Sequence, residues 1–160
     1  MKNLTMSAFG LLVIGVLYVG TASAQSPHFI YANGSLDKAG DYVASFKEVG
    51  LGNTPITYVL SAATATFTYQ CFTRSNNTPQ GSPNSVSFCF SNESTSSTIT
   101  PRNGQITGGL TLSPEQDGAS CQGHGPVLKL VAVDYEGVTL CDTTDNVCVN
   151  LPNESATARF

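Results

Sequence analysis

The chain has 160 residues, of which 11% are charged, against about 25% in an average soluble domain. Its formal net charge is −4, and the few lysines and arginines stand apart in sequence. Nucleic acid and anionic membrane surfaces are therefore poor partners, since both need grouped cations. A 41% hydrophobic content with modest net charge also argues against intrinsic disorder.

In chain order, Met1-Lys2-Asn3 is a minimal basic start, followed by an apolar run from Ala8 to Gly20 and the small residues Thr21-Ala22-Ser23-Ala24. This is the layout of a secretory signal peptide, in which Ala22 and Ala24 fill the shallow pockets of a signal peptidase and cleavage falls before Gln25. The apolar run is shorter than the roughly 20 residues that span a bilayer, so an uncleaved anchor is the lesser reading and no membrane span is expected after cleavage. The expected organisation is a leader over 1–24 and one secreted β domain over 25–160, a length usual for a single domain.

Beyond the leader, apolar and polar residues alternate with period two, and helical period is nearly absent. The first runs are Phe29 to Leu36, Tyr42 to Lys47 and Ile56 to Ala62. In Thr64 to Cys71, the side chains of Ala65, Phe67, Tyr69 and Cys71 fall on one face and the threonines with Gln70 on the other, which makes a strand with one wet face. Further runs are Ser85 to Ser91, Gln105 to Leu112, Val127 to Tyr135, Val138 to Asp142 and a short last one from Ala156 to Phe160. Asn103-Gly104 tolerates positive φ and favours a type I′ hairpin. Ser75 to Asn84 and Ser113 to Pro126 have no periodicity and are the longest loops. Eight or nine short strands without room for crossover helices predict an all-β fold, an antiparallel two-sheet sandwich of immunoglobulin-like or similar type, with a closed β-barrel as the alternative.

Five cysteines follow the leader, and in an oxidising compartment they are expected to form disulfides with one thiol left over. Cys141 and Cys148 flank a polar turn, Asp142 to Val147, and are the favoured pair. A bridge from Cys71, at a strand end, to Cys121, before the next apolar strand, would contribute about 4 kcal/mol on chain-entropy grounds. Cys89 is left, on the serine-bearing side of Ser85 to Ser91. It reads either as an accessible thiol, free or joined to a second chain, or as a small side chain buried between sheets.

No motif points to catalysis, a cofactor or a metal. The histidines, His28 and His124, have no nucleophile elbow beside them, so a hydrolytic triad would need an arbitrary serine and a carboxylate such as Asp142. Cys-x-x-Cys, His-x-x-x-His and EF-hand spacings do not occur. Asp134, Glu136, Asp142 and Asp145 could meet around calcium, although loop carboxylates are ordinarily solvated. Sequons stand at Asn33, Asn76, Asn92 and Asn153, a number not far above chance for so Asn-, Ser- and Thr-rich a chain. Phe67, Tyr69, Phe88 and Phe90 lie at strand spacing and read more simply as core than as a sugar-stacking platform.

Four segments together, Ser45-Phe46-Lys47-Glu48-Val49-Gly50-Leu51-Gly52, Ser61-Ala62-Ala63-Thr64-Ala65-Thr66 with Tyr69-Gln70-Cys71, Arg102-Asn103-Gly104-Gln105-Ile106-Thr107-Gly108 and the stretch from Leu128 to Asp142-Thr143-Thr144, resemble a family of small secreted β proteins of soil bacteria that has no established activity. The resemblance covers most of the chain after the leader. It implies export and a β fold and supplies no catalytic residues. It also implies that Cys71 and Cys121 match the family's usual cysteine pair, while Cys89, Cys141 and Cys148 depart from its pattern.

The expectation for function is a non-enzymatic extracellular or cell-surface module that binds a protein or glycan through its loops. A small secreted hydrolase and a disulfide-stapled toxin or inhibitor are the alternatives. The hydrolase would require His28 or His124 within hydrogen-bond reach of both a hydroxyl and a carboxylate in a cleft.

Overall fold

The computed structural model describes residues 26–75, 79, 85–116, 118, 120–121 and 125–157. The expected leader, most of the Ser75 to Asn84 loop, His124 and residues 158–160 lie outside them.

Eight strands follow in chain order: β1 (His28–Leu36), β2 (Tyr42–Val49), β3 (Ile56–Phe72), β4 (Ser85–Ile99), β5 (Gln105–Leu112), β6 (Val127–Asp142), β7 (Val147–Asn150) and β8 (Glu154–Thr157). No helix occurs among the described residues. One sheet has the order β1-β2-β5, and the other β4-β3-β6-β7 with β8 also paired to β6. Every pairing is antiparallel. The two sheets pack face to face as a sandwich and do not close into a barrel.

The core forms where the alternation places it. Tyr42, Ala44 and Phe46 of β2 and Ile106, Leu110 and Leu112 of β5 face Tyr58, Leu60, Phe67, Val133, Tyr135 and Leu140 of the larger sheet. Its aromatic rings meet across the sheets: Phe46 against Tyr58 with centroids 4.5 Å apart, and Tyr42 against Tyr135 at 5.5 Å. Offset and tilted pairs of this kind add about 0.5–1.5 kcal/mol beyond the area they bury. Phe67 and Tyr69 belong to this core, and Phe88 and Phe90 pack partly buried against it. The sugar-platform reading is not realised at Phe67 and Tyr69.

Several expected boundaries are corrected: the run expected over Ser85 to Ser91 continues to Ile99, and the last strand begins at Glu154. Ile56 to Ala62 and Thr64 to Cys71 are one strand of 17 residues, and Val127 to Tyr135 and Val138 to Asp142 are one strand of 16. The reason is a change of phase inside each strand. On β3 the buried side chains are Tyr58, Leu60 and Ala62, then Ala65, Phe67 and Tyr69. On β6 they are Val133 and Tyr135, then Val138 and Leu140. β4 switches likewise, from Phe88 and Phe90 to Ile99 on the side that packs against the core. The switch falls at Asn92, Ala63 and Gly137, and the pairing register is the same immediately before and after this row, with the β3–β6 register slipping only farther along, between Thr68 and Tyr69. Asn92 and Gly137 have left-handed φ values of 59° and 62°, a conformation that glycine and asparagine reach most easily. The amide of Gly137 donates to Asn153 Oδ1 at 2.9 Å.

Cys71 and Cys121 are disulfide-bonded with Cα atoms 5.8 Å apart, and Cys141 and Cys148 with Cα atoms 4.1 Å apart. The second pair are directly opposed on β6 and β7.

Candidate functional site

Four core tyrosines carry hydroxyls that cannot stay unpaired in an apolar interior, and each finds a partner at the sandwich margin. Tyr42 donates to Pro152 O at 2.8 Å, and Tyr58 to Glu48 Oε2 at 2.7 Å. Tyr135 lies 3.2 Å from both Gly40 O and Leu112 O, and Tyr69 donates to Glu115 O at 3.1 Å. The last two fasten the chain as it leaves β5 at two points, Leu112 and Glu115. The Cys71–Cys121 bridge ties the same loop to the end of β3.

Between this fastened segment and β4 lies a cleft of about 260 Å³. Phe67 and Tyr135 form its floor, Thr111 to Glu115 one wall, and Glu93, Ser94 and Thr95 the other. Glu93 reaches it because of the phase switch at Asn92, which turns the residue after it toward the smaller sheet. Desolvation, and then the charge of Glu115, hold the Glu93 carboxyl above its ordinary range. Burial and the carboxylates of Asp41 and Asp37 hold the Tyr135 hydroxyl in its protonated, donating form. Glu115 on one side and Asp41 and Asp37 on the other thus act on groups that line the cleft.

A second cavity, of about 350 Å³, lies at the other end of β5 and is lined by Lys47, Arg102, Ile99 and Ile106 among others. The same end of the sandwich holds two fully buried carboxylates, Glu48 and Asp142. Asp142 Oδ1 accepts the amides of Thr144 at 2.7 Å and Asp145 at 3.0 Å, closing the β6–β7 turn. Glu48 Oε1 and Asp142 Oδ2 have no hydrogen-bond partner among the described residues. Asp142 is thus a buried turn-forming residue and not a solvated loop end. Among the described residues, no group of three or more His, Cys, Asp or Glu is placed to hold a metal ion, so Asp134, Glu136, Asp142 and Asp145 do not meet as a calcium site.

His28 is exposed, and its Nδ1 pairs with the Ser26 carbonyl at 2.8 Å. Among the described residues no hydroxyl or carboxylate is hydrogen-bonded to the His28 ring, so the relay that a hydrolase would need is not assembled there. His124 lies outside the described residues. Cys89 is an exposed free thiol on β4, opposite Thr66 and away from the core. Of the sequons, Asn33 and Asn92 are exposed, Asn153 holds the Gly137 amide, and Asn76 is not described.

Sequence reasoning found one wall of the cleft, since Ser113 to Pro126 stood out as a long loop. It missed Glu93, which sits in a run of serines and threonines with no apolar phase to orient it. It also missed Glu48, although Tyr42, Ala44 and Phe46 set a phase that Glu48 continues. Comparison with family models, curated proteins and solved structures finds no match to this chain.

Proposed function

We propose that the protein is a secreted, non-enzymatic β module that binds a protein or glycan partner through its loops, at the cell surface or in the surrounding medium. Residues 1–24 would be its export signal and 25–160 the exported domain. The observation that carries the reading is the chain as it leaves β5, where two tyrosine hydroxyls hold the Leu112 and Glu115 carbonyls beside an open cleft and a disulfide joins Cys121 to Cys71 at the end of β3. Loops fixed on a sheet scaffold are a common seat of recognition, because the scaffold meets the ordering cost before the partner arrives. Two disulfides in a small β fold suit an oxidising location.

The test is a binding screen of the exported protein against a panel of glycans and purified cell-surface proteins. A parallel screen measures turnover of ester, peptide and glycoside substrates. Saturable binding that disappears when Ser113 to Gln116 is replaced by glycine and serine is the expected result. Catalytic turnover that survives extensive purification, with no binding at the loop, would overturn it.

A further inference from the structure

The bridge between Cys141 and Cys148 joins two strands that are already held together without it. The two residues face each other in the antiparallel ladder of β6 and β7. Asp142 Oδ1 holds the turn between them through the amides of Thr144 and Asp145. The same turn is tied to β3, where Thr57 O accepts the Thr143 amide and hydroxyl and the Thr57 amide donates to Thr144 Oγ1 at 3.0 Å. Past β7, the Leu151 amide bonds Val138 O at 2.9 Å and the Leu151 side chain is buried. With a sequence separation of 7, against 50 for Cys71–Cys121, the bridge also gains the less by loop closure.

Its place on the surface is unlike that of the other bridge. Cys141 stands between the buried Leu140 and Asp142, so its side chain lies on the outer face of the larger sheet. Cys148 is exposed, on β7, and among the described residues no strand pairs with the far side of β7. Cys71, by contrast, is 7% exposed at the end of the long β3 strand.

We propose that Cys141–Cys148 is an exchange site, an accessible disulfide that is reduced by an external dithiol while the sandwich stays folded. A thiolate of the dithiol attacks Cys148 Sγ, the more exposed sulfur, and a mixed disulfide forms. The bond between the two Sγ atoms breaks, and its electron pair leaves on Cys141 Sγ, which takes a proton from water. The second thiol of the reductant loses its proton and attacks the reductant sulfur of the mixed disulfide, so that Cys148 Sγ departs and is protonated in turn. The bridge thereby gains two electrons and two protons, and the dithiol becomes a disulfide. Exchange requires access of the thiolate to a sulfur, and access is what separates the two bridges of this chain. The site stands apart from the cleft and does not depend on the binding-module reading.

The experiment blocks the exposed Cys89 of the folded protein with N-ethylmaleimide, adds dithiothreitol without denaturant, and alkylates the released thiols with iodoacetamide for peptide mapping. Cys141 and Cys148 should be released together, at least about tenfold faster than Cys71 and Cys121. The amide NMR spectrum outside the β6–β7 hairpin should stay that of the folded protein throughout. With the monothiol N-acetylcysteine in place of dithiothreitol, rapid alkylation should trap the mixed disulfide on Cys148 and the free thiol on Cys141. Release of both bridges at one rate, release only as the folded spectrum disappears, or a mixed disulfide carried mainly by Cys141 would each overturn the proposal. The double variant Cys141→Ser with Cys148→Ser should keep the folded spectrum and lose the fast-released pair. Failure of that variant to fold would show the bridge to be a structural bond and overturn the proposal equally.

Discussion

Glu48 occupies the place on β2 that Tyr42, Ala44 and Phe46 prepare for an apolar side chain, and it is fully buried there. One oxygen accepts the Tyr58 hydroxyl and the other accepts nothing from the described residues. Burial raises its carboxyl above 4.5, the negative charges of Asp142 and Asp145 raise it further, and the Tyr58 hydrogen bond and His28 oppose the rise. Burial, followed by the Glu48 contact, also keeps the Tyr58 hydroxyl protonated, so it remains the donor. A carboxyl that binds its proton more tightly in the fold than in the unfolded chain stabilises the fold most below the unfolded value. That contribution is lost as pH rises above 4.5 through the folded value. Glu48→Gln keeps an acceptor for Tyr58 and cannot ionise. It should therefore stabilise the protein at pH 7 by about 1–3 kcal/mol. Urea midpoints at pH 7 and near pH 4 check this: the advantage should shrink toward the acidic end, and an advantage independent of pH would refute the ionisation argument.

The row Asn92–Ala63–Gly137 crosses β4, β3 and β6 and sets which half of each strand presents which side chains inward. Gly137 has φ +62°, and a Cβ there would lie 2.8 Å from the Ala63 Cβ. Gly137→Ala should therefore destabilise by about 1–3 kcal/mol, combining the left-handed backbone cost with the crowding. Asn92→Gly, where only the backbone conformation matters, should stay within about 1 kcal/mol. Chemical denaturation of the two variants side by side measures both. The same row explains what the sequence could and could not tell. Period-two reading works within a phase, so both halves of β3 and of β6 were legible, but a phase change looks like a strand end. The second half of β4, Asn92 to Ile99, has Ile99 as its only apolar residue and gave no phase to read. Glu48 kept its phase and was passed over because a lone charge is seldom buried. The cleft was illegible for another reason: Glu93 and Glu115 come from different sheets or their margins, and only the packing joins them.

Across the whole molecule, the two disulfides close loops of very different size, with sequence separations of 50 and 7. The chain-entropy relation gives about 4 kcal/mol for the longer and about 2.5 kcal/mol for the shorter. Replacing Cys71 and Cys121 together by serine should therefore lower stability more than replacing Cys141 and Cys148. Thermal unfolding of the two double variants would show the order, and the reverse order would mean that native contacts outweigh loop closure. The strand lengths also constrain how this chain can change over generations. An extra residue in one strand normally flips every side chain beyond it to the opposite face. Here three adjacent strands flip at one level, so the flips cancel and the ladders stay matched. Losing Ala63 alone would put half of β3 out of step with both neighbours, as losing Asn92 or Gly137 would do to β4 or β6. Insertions and deletions at this level are thus tolerable only as a set. Natural variants of the chain should show these three strands gaining or losing a residue together, like linked characters, while the loops between them vary freely.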